Sequence, residues 1–148
     1  MLDHIAAVAE ERRWLSDEPP FERERHRAST LAAIDDPHSL LLAAADADDA
    51  LIGELSAFGR PDRAANIGMS VAKEWRGRGV GSALLASCIE WARTNGVHKL
   101  ALHVWPHNEV AIRLYGKFGF EQEGRLVRHY RRANGELWDV LVMGLVVE

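Results

Sequence analysis

The chain has 148 residues, 47% of them hydrophobic and 27% charged, with a net charge of -4, which predicts a single domain over residues 1–148. The mild acidity, and the lack of any apolar run near the ~20 residues that span a bilayer, argue against nucleic acid or a membrane as a partner. One cysteine, Cys88, excludes an internal disulfide and, without a signal-like N-terminal segment, predicts a cytoplasmic protein.

The N-terminal half is predicted to fold as two helices followed by three strands. Residues 2–14 place apolar side chains on one helical face, and a charged helix over residues 21–34 ends before Asp36-Pro37. The compositions of residues 39–45 and 50–58 are typical of strands, and the polar residues between them suit a hairpin turn. A third strand, residues 66–72, leads into a glycine-rich segment.

The C-terminal half alternates helices and strands. Small or apolar residues recur at helical spacing from Val80 to Ala92, including Ser87 and Cys88, and predict a long helix. The remaining predicted elements are a strand at residues 99–104, a short helix capped by Asn108, and a hairpin of residues 125–132 against 137–147. This order predicts an α/β (α+β) fold, with helices flanking a mixed, mostly antiparallel sheet.

Residues 76–81 read Arg-Gly-Arg-Gly-Val-Gly and lie where the third strand gives way to the long helix. Free N–H groups and the positive end of the helix dipole suit a pyrophosphate there, and Gly79 and Gly81 would let a ligand approach the backbone. The dinucleotide fingerprint does not fit, because Ser82 stands where its last glycine is required, and the Gly-Lys-Ser/Thr of a P-loop is absent. A plain structural turn, whose glycines only relieve strain, is the alternative.

Two linked motifs resemble the GNAT superfamily of N-acetyltransferases. Val71 followed by residues 76–81 is similar to its acyl-CoA signature, Arg/Gln-x-x-Gly-x-Gly/Ala, and residues 108–120 are similar to its second CoA-contacting segment. The tail, residues 123–139, resembles the branch that acetylates free amino acids and similar small amines. The resemblance covers residues 51–147 well and the first fifty residues loosely.

The resemblance implies direct transfer, in a ternary complex, from acetyl-CoA as co-substrate to the primary amine of a small molecule such as an amino acid. Backbone groups of one strand would hold the pantetheine arm and the acetyl oxygen, while two arginines and the N–H groups of the turn would hold the pyrophosphate. The cofactor-binding residues expected on this basis are Met69, Ser70, Val71, Arg76, Gly77, Arg78, Gly79, Val80, Gly81, Ser82, Asn108 and Tyr115. A non-catalytic acyl-CoA-binding or regulatory module and a protein N-terminal acetyltransferase are the alternatives.

Tyr115 is the candidate general acid that returns a proton to the departing CoA sulfur. A phenol has a pKa near ~10, close to that of a thiol, so proton donation is feasible at neutral pH. Tyr115 also lies on an apolar helical face, and ordinary core packing is the alternative interpretation.

The general base is less clearly marked. Many members of the superfamily carry a glutamate on the strand before the glycine turn, whereas this chain has Ile67, Gly68 and Ser70 there. Glu54, on the preceding strand, is a candidate substitute acting through water, and a solvent-facing strand residue is the alternative. The weaker candidates are Glu109 and Asp139.

Two clusters of titratable residues lie outside these motifs. His103 and His107 have a spacing that can hold metal on a helix, but they fall at a strand end with no evident third ligand, so we expect no metal site. The basic cluster within residues 125–132 is typical of a solvated strand face. Attraction of an anionic substrate group or a CoA phosphate is its alternative role.

The last expectation concerns the first strand of the superfamily fold. Helical periodicity begins almost at Met1 with no strand-like run before it, so either the natural start lies upstream or the fold manages without that strand. Residues 39–45 would then form an apolar edge without charge, which is a pairing hazard. We therefore expect a homodimer through this edge.

Overall fold

The computed structural model describes residues 1–147, which contain four helices and six strands in the predicted order. The helices are α1 (Leu2–Glu10), α2 (Arg23–Asp35), α3 (Val80–Thr94) and α4 (Glu109–Lys117). The strands are β1 (Leu40–Ala45), β2 (Leu51–Gly59), β3 (Ala64–Val71), β4 (Lys99–Val104), β5 (Glu121–Arg131) and β6 (Leu137–Val146). No helix in this part of the chain is long and apolar enough to cross a membrane.

All six strands form one sheet in the order β1-β2-β3-β4-β6-β5. Every neighbouring pair is antiparallel except β3 and β4, which are parallel. The predicted mixed, mostly antiparallel sheet with flanking helices is therefore confirmed. Within residues 1–147 no strand precedes α1, as expected, and β1 forms one edge of the sheet.

The parallel pair at the centre separates after a short contact. β3 and β4 are paired only where Ala64–Asn66 lie beside Lys99–Ala101. Beyond these residues no partner strand lies on the β4 side of β3, so backbone groups along that side are left free to bind a ligand. The separation opens a cleft in the middle of the sheet.

The main core lies between the sheet and α3. Leu55, Leu85, Cys88 and Leu100 are fully buried there, and burial raises the pKa of the Cys88 thiol to about 12, which leaves it an inert core residue. The predicted helical stripe was partly wrong, because Ser87 is exposed. Adjacent apolar residues on α3 turn inward instead, since a helix packed on a sheet buries a face wider than one row.

α1 covers the opposite face of the sheet and is shorter than predicted. The prediction extended the helix to residue 14, but it ends at Glu10, and Arg12 then takes a positive φ of 52° that turns the chain away. The buried apolar face stops at Ala9, so packing gives no reason to continue the helix. The residues that follow form a loop over the central cleft.

Candidate functional site

The cleft between β3 and β4 has a volume of about 780 Å³. Among the predicted site residues, Met69, Asn108 and Tyr115 line it together. Side chains alternate along a strand, so the cleft has one wall toward α3 and α4 and another toward α1. Trp14, at the start of the loop after α1, also lines it.

The glycine turn has the geometry of an anion site. Gly77 and Gly79 have φ values of 73° and 87°, a region that other L-residues rarely adopt, and a Cβ placed on Gly79 would meet nothing within 4 Å. Gly79 is the N-cap of α3, and its carbonyl accepts the N–H of Ala83 at 3.0 Å. The N–H groups of Val80, Gly81 and Ser82 therefore have no acceptor inside the helix, as a bound phosphate requires.

Gly81 serves a purpose that the sequence did not indicate. A Cβ at this position would lie 3.1 Å from Leu114 Cδ2 and 3.5 Å from Met69 Cε. Its small size therefore lets α3 approach α4, in addition to any role of its backbone N–H in binding. A bulky residue here would disturb packing as well as a ligand, so Gly79 is the cleaner position for a test.

The two arginines of the turn are placed differently. The Arg76 guanidinium donates two hydrogen bonds to Glu11, at 2.9 and 2.7 Å, and its Nε donates to the Val71 carbonyl at 3.0 Å. Arg78 is exposed and lies 3.9 Å over the Trp75 ring. Arg76 thus ties the turn to the end of α1, and Arg78 remains available to an anion. Phosphate binding by either side chain stays a prediction.

Tyr115 is buried and lines the cleft. Burial, and to a smaller extent the charge of Glu54, raise the pKa of Tyr115 to about 12. The phenol is therefore a weaker acid than a free tyrosine, and its pKa lies further above that of a thiol than the sequence suggested. A thiolate released beside this buried phenol would also be destabilised by burial, which raises the thiol pKa in the same direction.

The N-terminus of α4 follows the sequence prediction closely. Asn108 is the N-cap of α4, and its Oδ1 accepts the N–H of Ala111 at 3.3 Å. The same residue lines the cleft. The capping role is therefore confirmed, and contact with a cofactor remains compatible with it.

Glu54 lies in a buried network beneath α1. Ser70 Oγ donates to Glu54 Oε1 at 2.7 Å, and His4 Nε2 lies 2.9 Å from Ser70 Oγ. When Glu54 is ionised, the Ser70 hydroxyl proton points to it and the His4 imidazole donates to Ser70. Burial raises the pKa of Glu54 to about 7 and lowers the pKa of His4. Glu54 is 6% exposed, so the solvent-facing interpretation of this residue is wrong.

The same network separates Glu54 from the cleft, since neither Glu54 nor Ser70 is among the lining residues.

The two weaker candidates for the general base form contacts elsewhere. Glu109 is exposed beside Arg113 at 3.5 Å. Asp139 accepts the N–H of Arg128 at 2.7 Å and pairs with Arg125. A base in direct contact with an amine in the cleft has to be sought among other residues.

The loop after α1 is fixed to the β5–β6 hairpin by Arg132. Its guanidinium donates to the carbonyls of Leu15 and Ser16 at 3.0 and 3.3 Å, pairs with Glu18 at 3.4 Å and lies 4.5 Å over the Trp138 ring. Arg132 is 3% exposed, so the prediction that the whole basic cluster is solvated was wrong for this residue. No local pattern indicates this role, because its hydrogen-bonding and ion-pair partners lie more than a hundred residues earlier.

An aromatic group next to this anchor lines the α1 side of the cleft. Trp105 packs edge-on against Tyr130 and Trp138, with ring centroids 5.1 and 5.3 Å apart, and His103 Nδ1 lies 3.2 Å from the Tyr130 hydroxyl. From the sequence alone, His103 was a candidate only for a metal ligand. Alternation along β4, which places His103 opposite the buried Leu102, was the signal that could have found it.

The two histidines of the suspected metal spacing have separate partners. His103 faces Tyr130, whereas His107 Nε2 is bonded to the Arg13 carbonyl at 2.9 Å. Across residues 1–147 no group of three or more His, Cys, Asp or Glu side chains is placed to hold a metal ion.

Comparison with known proteins gives a consistent result. Residues 8–120 match the sequence model of the acetyltransferase (GNAT) family. An L-amino acid N-acetyltransferase of Escherichia coli is 40% identical over 93 residues, which are 59% of this chain and 55% of that protein. The chain thus spans about half the length of that curated relative.

Solved structures match over almost the entire chain. A GNAT-family acetyltransferase from Streptococcus pneumoniae superimposes with a TM-score of 0.84 at 25% identity, covering 99% of this chain and 94% of the other. Spermidine N-acetyltransferase from Vibrio cholerae, in complex with CoA and spermine, has a TM-score of 0.82 at 26% identity, with coverage of 99% and 89%.

Proposed function

The chain belongs to the acetyltransferase (GNAT) family, and on that premise we propose that it transfers the acetyl group of acetyl-CoA to the primary amine of a small molecule. One observation carries the proposal. The cleft where β3 and β4 separate brings an unpaired strand edge together with Tyr115. A thioester bound along that edge would present its carbonyl where an amine can reach it from the α1 side.

The cofactor is assigned to the α3 side of the cleft. The N–H groups of Val80, Gly81 and Ser82 would bind the pyrophosphate, and backbone groups of residues 69–71 would bind the pantetheine arm. Val71 already accepts one hydrogen bond from Arg76, but a carbonyl oxygen has two lone pairs and can accept a second. Arg78 would add a charge-assisted contact to a phosphate.

Proton transfer is assigned to Tyr115 in the cleft and to Glu54 in the buried network beneath α1. Tyr115 would donate a proton to the CoA sulfur as the carbon–sulfur bond breaks. Glu54, with its pKa raised by burial to about 7, would accept protons indirectly, through Ser70 or water. An amine must lose its ammonium proton before it can attack, so a proton acceptor on the α1 side is required.

The acceptor is proposed to be a small amine, with a free amino acid as the first candidate. The similarity to an L-amino acid N-acetyltransferase supports this choice. The similarity to a spermidine N-acetyltransferase makes polyamines further candidate acceptors. A protein N-terminus is a second candidate acceptor. The cytoplasm is proposed as the location, because the chain has a single cysteine.

Two measurements test the function. Calorimetric titration with acetyl-CoA should show binding, and thiol release in the presence of an amine panel should then depend on the amine. No binding at millimolar acetyl-CoA would overturn the proposal. Binding without amine-dependent release from amino acids, polyamines and N-terminal peptides would favour a non-catalytic acyl-CoA-binding module.

Dimerisation through β1 remains part of the proposal. The outer side of β1 has no partner strand within residues 1–147, and its Leu40, Leu41 and Leu42 are only half-buried. A second copy would satisfy the backbone groups of this edge and bury its apolar side chains. Light scattering should give the mass of a dimer, and a monomer with acetyl-CoA bound would exclude this arrangement.

A further inference from the structure

We propose that His103 is the proton acceptor for the amine and that Tyr130 positions its imidazole; this inference rests on the proposed acetyl transfer. The proposal begins with the position of His103 on β4. The last residue of β4 that is paired with β3 is Ala101, opposite Asn66. His103 comes two residues later, where the strands have separated, and it lines the cleft.

His103 also lies on the side from which an amine would enter. Its neighbours Leu102 and Val104 are buried in the core formed with α3. Because side chains alternate along a strand, His103 projects to the α1 side. Its antiparallel partner on β6 is Val142, which lines the same cleft.

The other ionisable groups of the cleft are less suited to the task. Arg60 is paired with Asp62 at 2.5 Å, and Lys99 is paired with Glu123 at 2.7 Å. His98 precedes β4, at the closed end where Lys99 and Ala64 are still paired. The charges of the two pairs therefore compensate each other, and His98 lies away from the open end of the cleft.

The contact with Tyr130 suits the tautomer of His103 that the proposal requires. His103 Nδ1 and the Tyr130 hydroxyl are 3.2 Å apart. When Nδ1–H donates to the hydroxyl oxygen, Nε2 keeps its lone pair, and no residue within 1–147 is bonded to it. An irregular stretch of β5 places Tyr130 there, since the register with β6 shifts between Leu126 and Tyr130. Asp139 holds that stretch by accepting the N–H of Arg128.

The charge state of His103 agrees with this role. His103 is exposed on one side, and partial desolvation, followed by the neighbouring His129, lowers its pKa below the ordinary value of 6.5. The titratable groups that face it are His129 and Tyr130 from β5, with the Lys99–Glu123 pair further along the same side. Residues 14–16, which lie over the cleft, contribute no charged side chain. The imidazole is therefore neutral at pH 7 and ready to accept a proton.

The reaction balances as follows in atoms and charge. Nε2 of His103 accepts one proton from the ammonium group and later releases it to solvent. The freed nitrogen lone pair forms the carbon–nitrogen bond, and the carbon–sulfur bond breaks with its electrons moving to sulfur. Tyr115 protonates the sulfur and is reprotonated, through water, by the second proton that the nitrogen loses. The products are an amide, CoA thiol and one proton.

The test compares His103→Gln with two matched variants across a pH series. His103→Gln should lower kcat/KM for the amine by about 100-fold at pH 7 and leave the acetyl-CoA Kd unchanged. The acidic limb of the wild-type pH profile should lie below pH 6.5 and disappear in this variant. His98 is a cleft histidine at the closed end, and His98→Gln should retain both the wild-type rate and the acidic limb of the pH profile. Glu54→Gln should retain the acidic limb.

Imidazole rescue separates proton transfer from packing. His103→Ala leaves space beside Tyr130, and added imidazole should restore part of its rate, whereas a purely structural histidine would not be rescued. Retention of rate and acidic limb by His103→Gln, or loss of the limb in Glu54→Gln instead, would overturn the inference. If the wild-type protein acetylates no amine at all, the proposed function fails, which is a different result.

Discussion

The two walls of the cleft are built from different parts of the chain and by different means. The wall proposed to bind the cofactor (the cofactor wall) comes from residues 64–82 and 108–115, and it offers mostly backbone groups: the free edge of β3 and the first turn of α3. The wall proposed to bind the amine (the acceptor wall) combines residues 14–16 with side chains of β4, β5 and β6. Backbone groups of regular elements can bind the same cofactor in proteins of different sequence. A binding surface made of side chains changes its specificity when those side chains are substituted.

The largest expected effect tests the backbone nature of the cofactor wall. Gly79→Trp should abolish acetyl-CoA binding, because its side chain would occupy the space in front of the α3 N-terminus. Gly135→Trp is the matched control, since Gly135 has a φ of 89° against 87° for Gly79 and equally open surroundings. Both variants carry a similar backbone strain of about 1–2 kcal/mol. Equal loss of binding by calorimetry in both would contradict the assignment.

The acceptor wall should depend most on Arg132. Arg132→Met removes one partner of a buried ion pair and leaves Glu18 and three carbonyls without their donor. Such a loss costs about 3–5 kcal/mol, and the freed loop should raise the amine KM more than that of acetyl-CoA. Urea unfolding and steady-state kinetics check both effects. Arg131→Met, at an exposed neighbouring position, should change neither, and a similar result for the two variants would remove the special role of Arg132.

Glu54 lies beneath α1 and outside the cleft, and its titration should appear in the free energy of unfolding. Its pKa rises from 4.5 in the unfolded chain to about 7 in the folded protein. Between these values the folded state binds more protons, so the free energy of unfolding should fall as pH rises through this window, by up to about 3 kcal/mol. His4 acts in the opposite direction, because its pKa is lowered on folding.

Comparison with Glu54→Gln isolates the glutamate. In urea titrations at pH 5, 6, 7 and 8, the wild-type protein should lose stability relative to this variant as pH rises. Glu109→Gln, at an exposed position, should follow the wild-type curve. Parallel curves for wild type and Glu54→Gln would mean that Glu54 is ionised at all these values, and its raised pKa would be refuted.

The smallest expected effect concerns Tyr115, the point where the two walls meet. Tyr115→Phe should lower the single-turnover rate by about 100-fold with little change in the acetyl-CoA Kd, because only the transferable proton is removed. Rapid quenching measures the step directly and avoids masking by product release. An unchanged rate would assign Tyr115 to packing against Phe120, whose ring centroid lies 5.6 Å away.

The sequence could predict the local structure of the cofactor wall because its signals are local. The glycines that take positive φ, the cap of α4 and the strand before the turn each depend on residues close in the chain, such as Asn108 and Gly79. The order of strands within the sheet was harder to predict from the sequence. The order of helices and strands along the chain was nevertheless sufficient to predict the fold class. The end of α1 was misplaced because Arg12 leaves the helix in a conformation that no local signal marks.

The acceptor wall could not be predicted, because its contacts join distant segments. Arg132 reaches Leu15 across a separation of 117 residues, and Ser70 reaches Glu54 across a hairpin. Burial of Glu54 likewise depends on α1 lying over the sheet, which its own strand pattern does not report. Alternation along β4 was a usable signal for His103, but the partner that positions it, Tyr130, depends on the irregular register of β5.

The most direct test of the proposed activity follows the acetyl carbon itself. The protein is incubated with acetyl-CoA labelled with carbon-13 at the carbonyl and a panel of amino acids and small amines, and the label is followed by NMR. The label should move from the thioester to an N-acetyl amide of at least one amine, with one thiol released per amide formed. Label that stays on CoA, or that appears only as free acetate, would contradict acetyl transfer.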